Sequence, residues 1–205
     1  MRRTIDYFQK RRDQNKKIAM LTAYDYTSAS IVEKSGIEII LVGDSLGQVV
    51  LGYDSTIPVT IDDMIRHIQM VVRGTHNAHI VGDLPFMSYQ VSLDEALRNA
   101  GKLLKEGGCQ SVKLEGGVSR QETVSAIVRS GIPVMGHIGL TPQSVNQLGG
   151  YRVRGRTEDE ADQLIADAVA LEKAGAYSIV LELLPSELAR VITSKVSIPT
   201  IGIGA

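Results

Sequence analysis

Residues Ser92-Leu93-Asp94-Glu95-Ala96-Leu97-Arg98-Asn99-Ala100-Gly101-Lys102-Leu103-Leu104-Lys105-Glu106-Gly107-Gly108-Cys109-Gln110-Ser111-Val112-Lys113-Leu114-Glu115 hold one complete helix-then-strand unit. Ser92 followed three positions later by Glu95 reads as a capping box, in which each side chain satisfies an amide left free by the first turn of a helix. Gly107 stands after the last turn, where a residue without a Cβ most easily ends a helix. The short run from Ser111 to Glu115 then reads as a strand.

Outward from this unit the same cadence repeats. Strands are expected at Ile18 to Ala23, Ile37 to Gly43, His79 to Gly82, Ile132 to Gly136, Tyr177 to Glu182 and Pro199 to Gly202. Helical segments fall between them, around Thr27 to Lys34, Ile61 to Arg73, Ser119 to Ser130, Glu158 to Ala174 and Ser186 to Ser194. Ser119 and Glu122 repeat the capping-box spacing, and Gly36, Gly131 and Gly175 repeat the glycine stop. Short apolar runs alternating with longer amphipathic ones specify a parallel α/β sheet. Because no G-x-G-x-x-G turn follows the first strand, a TIM-type (β/α)8 barrel is expected rather than an open doubly wound sheet. Such a barrel closes with eight strands, and Gly204-Ala205 falls where a seventh would end. The expectation is one barrel domain over residues 1–205, truncated after its seventh strand.

With 205 residues, 43% of them hydrophobic, the chain can bury a core of that size. Lysine and arginine number 22 against 23 acids, a net charge of −1, so no general attraction to nucleic acid or an anionic membrane is expected. A small-molecule partner fits better. The lone Cys109 has no partner for an internal disulfide, which suits a reducing compartment. Charged residues through Lys17 leave no apolar signal-peptide core, and no long apolar run follows, so a cytoplasmic location is expected.

In a parallel barrel the reacting groups stand at the carboxyl ends of the strands. Those stations here are mostly acidic: Asp44 after the second strand, Asp83 after the third, Glu115 after the fourth and Glu182 after the sixth, with His137 after the fifth. A single acid there is ordinarily a cap or turn residue, and Asp25, just before Thr27, is read as one. Four converging acids would repel one another unless a cation joined them, which points to a metal site. Oxygen donors without a Cys/His cluster suit Mg²⁺ rather than Zn²⁺. Side chains two apart in a strand share a face, so Ser111, Lys113 and Glu115 point into the barrel together, opposite Val112 and Leu114. Inside a barrel Lys113 needs a counter-charge. It is either an ion-pair partner of Glu115 or a clamp for a substrate carboxylate or enolate oxygen. Glu182 shares its face with Val180 and reaches the same mouth. His137 reads equally as a hydrogen-bonded core residue or a participant, whereas His67, His76 and His79 read as surface or packing residues.

Six segments go beyond generic barrel patterning: Thr22-Ala23-Tyr24-Asp25-Tyr26, Val42-Gly43-Asp44-Ser45-Leu46-Gly47, Asp83-Leu84-Pro85-Phe86-Met87, Val112-Lys113-Leu114-Glu115-Gly116-Gly117, Gly136 through Ser144, and Pro199-Thr200-Ile201-Gly202-Ile203-Gly204-Ala205. In order and spacing they resemble the ketopantoate hydroxymethyltransferases, over essentially the whole chain. The resemblance implies transfer of a one-carbon unit from 5,10-methylenetetrahydrofolate to 3-methyl-2-oxobutanoate, giving ketopantoate on the route to pantothenate. It implies that Asp44 and Asp83 bind Mg²⁺ with Glu115 at or just outside the metal's ligands, that Ser45 and Lys113 hold the substrate carboxylate and keto group, that His137 lies beside the substrate, and that Glu182 is the base. A metal on the keto oxygen would stabilise the developing enolate and make the C3 proton removable. Members of the family are ring-like homo-oligomers, typically of ten subunits, and continue past the Gly202-to-Ala205 run. The basic loop from Gly149 to Arg156 reads as a surface segment, or as a cover for the mouth that meets the folate's anionic tail.

The nearest rival is another Mg²⁺-dependent 2-oxo-acid barrel, of the phosphoenolpyruvate mutase and isocitrate lyase group. It is disfavoured because Cys109 precedes the fourth strand, at the wrong end for a lyase-type cysteine. A phosphate-binding barrel using Gly202 to Ala205 rests on too short a run. An inactive scaffold subunit is the non-enzymatic alternative.

Overall fold

The computed structural model describes all residues 1–205. Seven strands form one parallel sheet in sequence order: β1 (Met20–Thr22), β2 (Ile39–Val42), β3 (His79–Asp83), β4 (Ser111–Glu115), β5 (Val134–Gly139), β6 (Ser178–Glu182) and β7 (Thr200–Ile203). The sheet curls into a nearly closed barrel whose edges, β1 and β7, face each other across a cleft of about 610 Å³. The helices are α1 (Ile5–Asp13), α2 (Tyr26–Lys34), α3 (Leu46–Val49), α4 (Ile61–Arg73), α5 (Leu93–Lys102), α6 (Gln121–Arg129), α7 (Val145–Leu148), α8 (Glu158–Lys173) and α9 (Ser186–Lys195). None is long and apolar enough to cross a membrane.

Strand alternation divides the apolar residues into two layers. Ile40, Val42, Ile80, Val112, Leu114, Ile179 and Leu181 point outward and pack under the helices with Ile68, Leu103, Ile127 and Leu171. Ile39, Leu41, Val81, Met135, Val180 and Ile201 point inward. Two glycines let helices lie directly on the sheet: a Cβ on Gly82 would stand 2.7 Å from Ile68 Cδ1, and one on Gly136 2.6 Å from Leu171 Cδ1. Cys109 is buried against Gly82, and burial pushes its thiol up to about 12.

All seven expected strands form, with shifts that have local causes. β5 starts at Val134 rather than Ile132 because Pro133 has no amide to give to a ladder, and it runs on to Gly139. β1 keeps only three of its expected residues, since it pairs on one side alone. Ser92 caps α5 by accepting from the Glu95 amide, but that helix passes at Leu103 into a π turn ending at Gly107, and Gly108, at φ +88°, makes the stop expected of Gly107. Ser119 does not cap α6, because Val118–Arg120 winds into a 3-10 turn first. The reciprocal capping box of the molecule is instead Thr60 with Asp63, at the start of α4. Asp25 caps α2 through the Ser28 amide at 2.8 Å, as expected.

Helix α1 was not expected, because its charged sequence carries too narrow an apolar face for periodicity to reveal. It plugs the amino-terminal end of the barrel with Phe8, fully buried and edge-on to His79 at 5.4 Å. Arg11 pairs with Glu38 at 3.3 Å, and the Tyr7 hydroxyl donates to the same carboxylate, tying the plug to the start of β2.

Candidate active site

The parallel register sets the polar groups of the barrel interior side by side. Asp83 is level with Lys113, and Glu115 with His137. Lys113 Nζ accordingly lies 2.9 Å from Asp83 Oδ2, so the counter-ion of Lys113 is Asp83 rather than Glu115. The Asp44 amide donates to the same Asp83 oxygen at 3.2 Å, which brings the end of β2 against the end of β3. His137 Nε2 is 3.0 Å from Glu182 Oε2, and its Nδ1 is 3.5 Å from Glu115 Oε1 and 3.4 Å from Lys113 Nζ. One imidazole thus spans three strands.

Glu182 owes its place to the backbone on either side of it. A Cβ on Gly139 would stand 2.1 Å from the Glu182 carbonyl oxygen, so only glycine, here at φ +99°, lets β5 turn across the end of β6. Leu140 then donates to that carbonyl at 2.8 Å. Leu183, the next residue, has a left-handed backbone at φ 51°, unusual for a branched apolar side chain. Two hydrogen bonds hold it: its amide to Ile203 at 2.9 Å, and its carbonyl from the Arg154 amide at 3.0 Å.

The electrostatics follow from burial and crowding. Burial and the neighbouring Asp83 push Asp44 up to about 8, against the pull of Lys113. Burial also raises Asp83, opposed by Lys113. Burial acts to lower Lys113, but Asp83, Glu115 and Asp44 together hold it above the ordinary lysine range. Burial and Lys113 act to lower His137, and the Glu115 and Glu182 carboxylates outweigh them to raise it.

All seven residues singled out in the sequence, Asp44, Ser45, Asp83, Lys113, Glu115, His137 and Glu182, line one cavity of about 440 Å³ at the carboxyl end of the barrel. No three acidic, histidine or cysteine side chains close on a point as a ready metal cage. Glu115 is turned to protein partners, its Oε2 accepting from the Gln143 amide at 3.1 Å. Of the other residues considered, His79 is buried at the far end of β3, His67 bonds the Tyr24 carbonyl at 2.6 Å, and the Arg154 guanidinium is paired with Glu160 at 3.2 Å. Tyr151, from the loop read either as a surface segment or as a cover for the mouth, lines the cavity.

Sequence reasoning missed the groups that hold this set in place. Gln143, 3% exposed, donates to Asp44 Oδ2 at 2.9 Å and to the Leu84 carbonyl at 2.9 Å. Tyr89 donates to Gln143 Oε1 at 2.8 Å and accepts from the Glu115 amide at 3.1 Å, so one tyrosine and one glutamine join strands two through five. The Tyr24 hydroxyl is 2.8 Å from Ser45 Oγ. Both Tyr24 and Gln143 lie inside the segments quoted above, but neither sits at a strand-end station.

Comparison with known proteins identifies the family. The chain is 60% identical over all 205 residues to a 3-methyl-2-oxobutanoate hydroxymethyltransferase of Dehalococcoides mccartyi, covering 73% of that protein. It is 58% identical over its whole length to the enzyme of the same name from Clostridium botulinum, covering 74% of it. Among solved structures, 2,3-dimethylmalate lyase, a PEP mutase/isocitrate lyase superfamily member, superposes with a TM-score of 0.70 at 19% identity, over 97% of this chain and 70% of that one. Phosphonopyruvate hydrolase in complex with oxalate and Mg²⁺ gives 0.67 at 12% identity, over 97% and 80%. The rival group therefore shares the barrel fold, at identities that speak to fold alone. The family model for ketopantoate hydroxymethyltransferase matches residues 2–205, and the chain belongs to that family.

Proposed function

We propose that this chain transfers a hydroxymethyl group from 5,10-methylenetetrahydrofolate to 3-methyl-2-oxobutanoate, giving ketopantoate, with Mg²⁺ held at Asp44 and Asp83. The observation that carries the reading is the convergence of Asp44, Asp83, Lys113, Glu115, His137 and Glu182 on one cavity, in a member of this family.

The donor set fits a hard divalent ion. Asp83 Oδ1 is a buried oxygen with no protein partner, Glu115 Oε1 has only His137 Nδ1 at 3.5 Å, and the carboxyl of Asp44 is crowded by that of Asp83. Mg²⁺ ordinarily takes one or two carboxylates and fills its shell with water and substrate, so a closed protein cage is not required. When bound, the ion would polarise the keto oxygen of a 2-oxo acid and make its C3 proton removable.

The protein groups do the rest. Lys113, kept charged by its acidic neighbours, offers an ammonium to anionic substrate oxygens. Ser45, fixed by Tyr24, offers a hydroxyl. Glu182 is the group placed to take the C3 proton: its side chain is the most exposed of the cavity acids, at 23%, and its backbone is locked on both sides. His137, raised by its two glutamates, holds Glu182 Oε2 at 3.0 Å and orients it. The carbanion formed at C3 then takes up the methylene carbon of the folate. Both C–N bonds of that carbon break, one water supplies the hydroxyl oxygen, and the C3 proton and a water proton end on the two nitrogens, leaving ketopantoate and tetrahydrofolate. The exposed apolar run Val49, Val50 and Leu51 supports assembly with further copies of the chain, which light scattering would weigh.

The direct test is deuterium exchange at C3 of 3-methyl-2-oxobutanoate, followed by NMR with and without Mg²⁺. Metal-dependent exchange is expected, and Glu182→Gln should slow it by about 10²- to 10⁴-fold. A folded sample that binds the oxo acid and Mg²⁺ yet exchanges no deuterium would sink the reading.

A further inference from the structure

Among the buried side-chain polar atoms of the molecule, Asp83 Oδ1 and Thr56 Oγ1 have no hydrogen-bond partner in the protein, and Glu115 Oε1 has only His137 Nδ1, at 3.5 Å. The residues that carry them all line the same cavity. Buried polar groups are almost always paired, and leaving one unpaired costs free energy, so such a cluster marks where something else is meant to bind. Two of the three belong to the acids already described. Thr56 does not, and neither its position in the sequence nor the family segments single it out.

The loop that carries Thr56 is fastened to the turn that carries Asp44 and Ser45. The Tyr53 amide donates to the Gly47 carbonyl at 2.8 Å, and Gln48 Nε2 to the Asp54 carbonyl at 3.2 Å. Gly47 lets the loop approach, since a Cβ there would stand 2.6 Å from Val59 Cγ2. The Val59 amide closes the loop onto the Thr56 carbonyl at 3.2 Å. Thr56 is thus 1% exposed and rigidly presented, with its backbone engaged and its hydroxyl free. That hydroxyl is a donor in a cavity whose acids supply only acceptors. A ligand's anionic oxygen must avoid those acids and gather the donors, and on the β2 side of the cavity the side-chain hydroxyls are Ser45 and Thr56.

We infer that Thr56 is a substrate-binding residue, donating its hydroxyl to a carboxylate oxygen of the bound 2-oxo acid alongside Ser45. The inference rests on the function proposed above. Its test is calorimetric titration of 3-methyl-2-oxobutanoate in the presence of Mg²⁺ into wild type, Thr56→Val and Thr56→Ser, with the melting temperature of each ligand-free protein. A hydrogen bond to a charged group is worth enough that Thr56→Val should bind about 10-fold or more weakly, and Thr56→Ser should restore affinity. The ligand-free Thr56→Val protein should melt no lower than wild type, because the hydroxyl it loses had no partner to lose. Equal binding by wild type and Thr56→Val would overturn the assignment. So would a lowered melting temperature in Thr56→Val with binding lost in both variants, which would make Thr56 a structural residue. If wild type itself binds no oxo acid, the functional reading fails first and takes this one with it.

Discussion

The two ends of the barrel both bury polar groups and treat them in opposite ways. At the amino-terminal end His79 Nε2 meets Ser111 Oγ at 2.9 Å, Ser111 meets the Tyr177 hydroxyl at 3.0 Å, and His79 Nδ1 reaches the Arg3 carbonyl at 3.0 Å. Phe8 seals this chain from solvent. At the carboxyl-terminal end, charged groups crowd together and Asp83 Oδ1 and Thr56 Oγ1 stay unpaired. β4 spans both, with Ser111 in the satisfied network and Glu115 in the unsatisfied one. A closed network contributes to stability alone, whereas unpaired groups held in place spend stability on something that has yet to arrive.

The sharpest way to break this contrast is at Lys113, the cation that makes the acidic end tolerable. Lys113→Met should cost about 3–5 kcal/mol of folding stability by urea titration, because Asp83 is left as an uncompensated buried charge. Adding Asp83→Asn should recover much of that loss, and a single variant as stable as wild type would show that the pair is not under the stated strain.

At the other end the pH dependence tests the network. Burial lowers His79 from 6.5 to about 4. Below pH 6.5 an unfolded chain takes up a proton at this position that the folded chain refuses until about pH 4. The stabilisation is therefore complete above 6.5 and shrinks as pH falls through that window, by up to about 3 kcal/mol. Urea melts at the two ends of the window should show His79→Gln losing less stability than wild type. Identical slopes would mean that His79 is protonated in the folded protein.

Gln143 gives a smaller and more selective effect. If Asp44 holds Mg²⁺ as proposed, Gln143→Leu, which removes the donor to Asp44 Oδ2, should weaken Mg²⁺ binding in calorimetric titration about 10- to 100-fold, the range for loss of a group that orients a metal ligand. The smallest effect is expected at Tyr177. Tyr177→Phe breaks one link of the satisfied network and should cost about 1 kcal/mol of stability while leaving oxo-acid binding unchanged. A Tyr177→Phe protein that lost binding instead would erase the distinction between the two ends.

Much of this arrangement was legible in the sequence because it follows from strand periodicity. Ser111, Lys113 and Glu115 alternate with Val112 and Leu114, so one face had to be polar, and parallel strands had to deliver Asp83, Glu115, His137 and Glu182 to one end. Register was not legible. The pairing of Lys113 with Asp83, rather than Glu115, depends on residues 83 and 113 lying level across two strands. The groups that came as a surprise, Thr56, Tyr89 and Gln143, lie on the segments after strands two, three and five. There no repeating pattern relates position in the chain to direction in space. Helix α1 escaped for a different reason: its role depends on a single apolar side chain, Phe8, entering a hole that only the finished barrel makes.

Cys109 carries a practical consequence. A lone thiol, buried against the sheet and pushed up to about 12, is a poor nucleophile, so residues 1–205 are close to a chemical blank toward maleimides and other thiol reagents. A cysteine introduced at exposed Tyr151 would be the only fast-reacting site in each chain. A fluorophore placed there would report on the rim of the cavity as candidate ligands are titrated in, with no background from the rest of residues 1–205.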